Sequence, residues 1–319
     1  MCMVCDMRRL ARRELRRTRA FPLILAALAT LGVNADRAEA RPLARQVSTL
    51  EHQRSISLKA EGASVVLTPI KRLWTDADTG ETEEIDAVGI TVTLPGQAQF
   101  DLPFDEWRNE VYGEWVTIMR LSKRDASPVA IIEGYSGGAH CCATFQMVAV
   151  IDGKPVAVSL PPIDGEPARR LPRDLDGDGT IDFLRQDDAF RYAFASGAGS
   201  WSPPAIWNLR GAAMVDVSSE PRFAKLWRDY AGRALKACRS DKYERNGACA
   251  AHAAAMARLG KAEEGIVAAS RLATPDRFFL PEGCKIDLVD DACPAGQEVA
   301  FAAFEPALRW FLAVNGYTD

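Results

Sequence analysis

The hydrophobic period changes once along this chain, and that change limits what it can fold into. From about residue 55 to 217 the apolar residues come in short runs rich in Val, Ile and aromatics, broken by Gly, Pro and Asp turns. Such runs, at 64–68, 88–94, 116–121, 129–133, 144–151, 156–160, 181–184, 190–194, 205–209 and 213–217, read as strands. Pro69 ends the first or marks it as an edge, because proline has no N–H for a ladder. Asp152-Gly153, between two of these runs, is a hairpin turn. From residue 218 the period lengthens to that of a helix. Phe223, Leu226, Trp227, Tyr230 and Ala234 share one helical face, and Cys249, His252, Met256 and Leu259 form a second stripe. A third helix is predicted over 261–272, and Phe301, Phe304, Leu308 and Phe311 mark a fourth, with Pro306 in its first turn or at a kink. The fold class is α+β, with a β-rich N-terminal domain followed by a small helical C-terminal domain. Its consecutive antiparallel strands at 129–160 and 181–217 are propeller-like.

The first forty residues read as an export signal. Seven arginines lie between Arg8 and Arg19, and an apolar run then extends from Phe21 to Val33. That run is short for a membrane span but suits the core of a signal peptide. Ala38-Glu39-Ala40 offers the small residues of a cleavage site, so cleavage is predicted after Ala40. The predicted organisation is a signal peptide at 1–40, a loosely ordered polar segment at 41–54, a β-rich domain at 55–217 and a helical domain at 218–319. The full chain of 319 residues carries a formal charge of -4, whereas the 279 residues after the signal carry 31 basic and 39 acidic side chains. An acidic body is a poor nucleic-acid binder. After signal cleavage no further run can enter a bilayer, and a periplasmic or secreted location follows.

The sharpest motif is the run from Asp174 to Phe183. Asp174, Asp176, Asp178 and Asp182 occupy positions 1, 3, 5 and 9, with Gly179 at the sharp turn and the Thr180 carbonyl at position 7. A hard dication such as Ca²⁺ takes six to eight oxygen ligands, and alternate residues of a tight loop supply them. Arg185 stands where an EF-hand has its bidentate Glu, and the flank 181–184 reads as a strand, so this is not an EF-hand. The segment resembles the Asp-rich hairpin loops of FG-GAP and VCBS-type repeats, which implies a Ca²⁺ loop between blade strands.

Gly137-Gly138-Ala139-His140-Cys141-Cys142 is the second motif. With the Asp loop it resembles a group of exported bacterial proteins that pair a GGAHCC segment with a DxDGDG loop, and that resemblance brings no activity with it. Cys141 and Cys142 can bond to each other, pair with distant cysteines, or serve with His140 as thiol or metal chemistry. Six cysteines follow the signal, and an even set in an oxidising compartment suggests disulfides. The economical pairing is local: Cys238 with Cys249, Cys284 with Cys293, and Cys141 with Cys142. His252 on its inward stripe reads as a core histidine.

Trp201 and Trp207, with Pro203-Pro204, form either an aromatic platform for sugars or part of a strand core. Nothing in the sequence sets the separation of carboxylates in Asp187-Asp188 or Glu83-Glu84, so no glycosidase is argued. The reading is an exported calcium-binding protein of structural or binding role, with a protein or envelope-polymer partner. The competing reading is an extracytoplasmic hydrolase or thiol-redox enzyme using His140 and Cys142.

Overall fold

The computed structural model describes residues 42–48, 55–75, 80–102, 114–122, 125, 127–135, 143–164, 171–240, 244–286 and 293–318. The expected export signal lies outside the described residues, as do His140, Cys141 and Cys142.

The strands are β1 (Ala44–Ser48), β2 (Ile56–Ala60), β3 (Ala63–Thr75), β4 (Thr82–Thr93), β5 (Phe100–Asp101), β6 (Glu114–Met119), β7 (Val129–Tyr135), β8 (Ala143–Ile151) and β9 (Lys154–Ile163), followed by β10 (Phe183–Gln186), β11 (Pro204–Arg210) and β12 (Ala213–Asp216). They form a four-stranded sheet in the order β2-β3-β4-β5, a five-stranded sheet in the order β1-β6-β7-β8-β9 and a three-stranded sheet in the order β10-β11-β12. All pairings in these three sheets are antiparallel. A two-stranded ribbon of β13 (Gly283–Cys284) and β14 (Glu298–Val299) lies further on. The helices are α1 (Ala224–Cys238), α2 (Asn246–Arg258), α3 (Ala262–Leu272) and α4 (Phe304–Val314). The molecule is thus α+β, with antiparallel sheets first and helices after.

The burial patterns explain how the layers stack. β2 alternates half-buried and exposed residues, so it has one wet face. β7 and β8 are buried almost continuously, the pattern of strands covered on both faces. Ile118, Ala130, Ile132 and Val148 on one face of the five-stranded sheet pack with Val65, Leu67, Ile90 and Val92 of the four-stranded sheet. On the other face Met119, Ile131, Phe145, Met147 and Val158 meet Ile181 and Phe183, which lead into the three-stranded sheet. The far side of that small sheet offers Ile206 and Val217 to Phe223, Trp227 and Tyr230. The meanders expected at 129–160 and 181–217 therefore face each other across one shared core.

Local chemistry sets the connections. Asp152 and Gly153 both take positive φ, 49° and 75°, as a two-residue hairpin loop requires. β3 runs on through Pro69, which pairs with Val88 on β4, and the described part of β2 begins opposite Leu67. Pro306 lies in the first turn of α4, where its missing N–H costs nothing. The Ala-rich α2 is buried from Asn246 to Ala255, and its small side chains let neighbouring helices approach closely. A Cβ on Gly265 of α3 would lie 2.5 Å from the Met256 Cβ of α2.

Two expectations change. Residues 44–48, read within a loosely ordered polar stretch, form β1 against β6 with Val47 opposite Trp115. The run 190–194, read as a strand, is a turn: a short 3-10 segment at Asp188–Phe190 is capped by the Asp187 carboxylate, and Tyr192 and Phe194 take positive φ. The turn drives Phe190 and Phe194 edge-on into Phe311 of α4, at 4.9 and 5.2 Å between ring centroids. Alternating aromatics look the same in sequence whether a sheet or a helix covers them.

Cys238 of α1 bonds to Cys249 of α2, and Cys284 bonds to Cys293. The first staple closes a loop of 11 residues' separation between two packed helices. Cys238→Ser combined with Cys249→Ser is expected to lower stability by about 3 kcal/mol, read from urea unfolding midpoints.

Glu133 sits on β7 among apolar neighbours, near Arg185 of β10 and Arg45 of β1. Burial raises its pKa to about 7, against the pull of the two arginines. The same burial lowers the pKa of Arg185, and Glu133 opposes that shift. A carboxyl whose folded pKa exceeds its unfolded value loses stability as pH rises through the interval between them and gains nothing beyond it. Between pH 4.5 and 7 this group is expected to remove a few kcal/mol, about 1.4 per unit. Glu133→Gln is expected to flatten that slope in denaturation measured across the same pH range.

Candidate metal loop

The Asp-rich segment closes between two antiparallel bridges. Arg173 and Asp182 exchange both backbone hydrogen bonds, at 3.1 and 2.9 Å, just before β10 begins. The Ile181 N–H donates to the Leu121 carbonyl at 2.8 Å, tying the loop to the end of the five-stranded sheet. Within these ties the carboxylates turn inward onto their own backbone. Asp174 accepts from the N–H groups of Gly177 and Gly179, at 2.6 and 2.9 Å. Asp176 accepts from the Asp178 N–H at 3.0 Å, and Asp178 from the Thr180 N–H at 2.7 Å. Gly177 and Gly179 both take φ near 90°, a region closed to most side chains, so the alternation of Asp and Gly is needed to wind the chain this tightly.

Asp182 is fully buried. Its two oxygens accept from the Leu175 N–H at 2.7 Å and from the Asn208 side-chain amide at 2.8 Å. Burial pushes its pKa up, and those two hydrogen bonds hold it back. One carboxylate oxygen each from Asp174, Asp176 and Asp182 converge within 4.8 Å of one another. The structure thus gathers three of the four expected carboxylates. Asp178 turns its second oxygen elsewhere, and Thr180, expected to offer its backbone carbonyl, lies at the bridge to Ser122.

The partner of Asp178 is a residue that the sequence reading missed. The Arg222 guanidinium donates to Asp176 and Asp178, each at 2.8 Å, to Glu220 at 2.7 Å, and to the Asn208 carbonyl oxygen. Burial alone would lower its pKa, but Glu220 and Asp176 outweigh that and raise it. Asn208 therefore donates to Asp182 and accepts from Arg222, linking the loop to the segment that begins α1. Arg222 is 46 residues from Asp176, and no local motif announces it.

Known relatives do not assign a chemistry to this loop. A family model described as the sll0997 C-terminal domain matches residues 224–316, the helical part of the chain. The "Probable thylakoid lumen protein sll0997" of Synechocystis sp. (strain ATCC 27184 / PCC 6803 / Kazusa) is 30% identical over 207 residues, 63% of this chain and 60% of that protein. The "Uncharacterized protein y4bJ" of Sinorhizobium fredii (strain NBRC 101917 / NGR234) is 27% identical over 206 residues, 63% of this chain and 32% of that protein. The chain thus spans less than two thirds of either relative. No solved structure matches it.

Removing Arg222 leaves a nearly buried Asp176 oxygen and the Asn208 carbonyl oxygen without their donor. Arg222→Ala is expected to cost about 1–3 kcal/mol in metal-free buffer. Asp182→Ala strips the partner from two buried donors and is expected to cost at least as much, about 3 kcal/mol. Urea titration of each variant against the parent protein checks the order.

Proposed function

We propose that this chain is an exported calcium-loop protein with a structural or binding role, and a protein or envelope polymer as its partner. The observation that carries this is the convergence of Asp174, Asp176 and Asp182 within 4.8 Å on a glycine-wound loop. Hard carboxylate oxygens from a tight turn are the donor set that Ca²⁺ takes, so the residues fit the ion. Asp174, Asp176 and Asp182 would hold it, with Asp178 and the Thr180 carbonyl completing the set. Arg222 would share Asp176 and Asp178 with that ion, so its guanidinium would compete with the ion for their charge. This competition and the lack of a bidentate Glu both favour weak affinity, about 10⁻⁴ to 10⁻³ M, the range of extracellular modules.

Export is supported by two things. The two disulfides belong to an oxidising compartment. The Synechocystis relative is named as a probable thylakoid lumen protein. A periplasmic or secreted location is the proposal that joins these to the N-terminal signal pattern. A vicinal Cys141–Cys142 bond completes it.

Calcium at a hundred times its dissociation constant is expected to stabilise the protein by about 2.7 kcal/mol. A calorimetric melt of the protein with calcium, then with EDTA, checks this, and Asp174→Asn is expected to remove the difference. Identical melting temperatures in calcium and EDTA would overturn the metal reading.

A further inference from the structure

A cleft of about 290 Å³ lies between the end of β9, the three-stranded sheet and the C-terminal tail. We infer that this cleft binds a small neutral sugar, one or two rings in size, through Trp207 and the carboxylates of Asp188 and Asp216. The inference rests on the binding role proposed above and does not depend on the calcium loop.

The volume sits at the lower end of ligand pockets, which favours a small molecule over an extended chain. Its apolar lining includes Trp207, partly buried against the core around Phe183, with Pro161, Pro162 and Pro204. Trp207 stands opposite Phe183 on β10 and Asp216 on β12, so the sheet fixes its position. An indole beside prolines offers a flat surface to the C–H face of a sugar ring. Trp201, the other half of the aromatic pair considered from sequence, packs instead against Tyr230, 6.5 Å between ring centroids.

The rim carries both signs, with Arg185 and Arg258 set among Asp187, Asp188 and Asp216. Asp187 is already held, accepting from the Tyr317 hydroxyl at 2.6 Å and from the Ala189 N–H at 3.1 Å. Arg258 is stacked on the Tyr317 ring at 4.1 Å and donates to the Gly316 carbonyl, so its guanidinium is fixed before any ligand arrives. Other groups retain capacity. Asp188 uses one oxygen, for the Asp164 N–H, and Asp216 uses one, for the Ser218 N–H. Asn315 donates through its amide nitrogen to the Phe311 carbonyl, which leaves its side-chain oxygen free to accept.

This mixture selects among ligand chemistries. Three carboxylates against two guanidiniums disfavour phosphate or any other simple anion. Free carboxylate oxygens need donors, and guanidiniums need acceptors. A hydroxyl supplies both at one atom, and vicinal hydroxyls on a ring supply them at adjacent positions. A polyol therefore satisfies the whole rim, whereas a cation or an anion satisfies half of it.

Saturation-transfer NMR on the full protein tests the site, with D-glucose, D-galactose, N-acetyl-D-glucosamine and maltose as neutral probes and inorganic phosphate and glycine as charged ones. Transfer to the ring C–H protons of at least one sugar is expected, with none to glycine and no phosphate-induced shift. Asp216→Asn, on an exposed side chain that keeps its turn geometry, is expected to weaken sugar binding about tenfold, the worth of one hydrogen bond to a charged group. Trp207→Ala is expected to abolish the transfer. Should that variant fail to fold, Trp207→Phe is expected to retain transfer at reduced strength. No transfer to any of the four sugars, preferential binding of phosphate or glycine, or sugar binding unchanged in Asp216→Asn would each overturn the proposal. Calcium-dependent melting is read on a different loop, so either reading can fail while the other stands.

Discussion

Asp182 is the carboxylate on which the layers of this protein depend. It has no solvent-accessible surface, yet it lies where the Asp-rich loop becomes strand β10. A buried carboxylate survives only if its oxygens are occupied, and here the Leu175 N–H and the Asn208 amide occupy them. The first bond closes the loop on itself. The second crosses to β11, from which the Asn208 carbonyl oxygen reaches Arg222 at the entrance to α1. The loop, the small sheet and the first helix are thus joined by one chain of hydrogen bonds, and any break in it leaves a buried polar group without a partner.

That arrangement explains why the three-stranded sheet can be so small. Three short strands are a poor independent unit, because one buried face rarely offsets their lost entropy. This sheet is covered on both sides. Phe183 joins the core of the five-stranded sheet, and Ile206 joins the core of α1 and α2. The acid loop ends it on one side and the Asp187 turn on the other, where Tyr317 anchors the tail of the last helix. The cleft beside Trp207 forms where these covering elements meet without filling the corner between them.

The element types were legible because hydrophobic periodicity is local. The helical stripes through Phe223, Trp227 and Tyr230 and through Cys249 and His252 are both buried, and the His252 ring donates to the Ala231 carbonyl at 3.0 Å as a core histidine. Pro306 and Asp152-Gly153 sit where their backbone constraints put them. The turn at 190–194 was read as a strand because its alternating aromatics serve a helical core. β1 went unread because its hydrogen bonds come from β6, some seventy residues away. In the loop the carboxylate positions were readable from spacing, but the division of labour was not. Asp182 turned out to be fully buried and Asp178 to face a distant arginine.

The sequence by itself determined that strands come first and helices after, the glycine-wound acid loop and an even set of cysteines beyond residue 40, because each rests on backbone conformation or chemistry within a few residues. Only the tertiary structure decided that Arg222 and Asn208 complete the loop, that the sheets stack face to face, and that Trp207 stands in a cleft while Trp201 does not. Those outcomes depend on contacts between segments tens of residues apart. Which distant donor fills a buried acceptor is settled by packing and by the cost of leaving that acceptor empty.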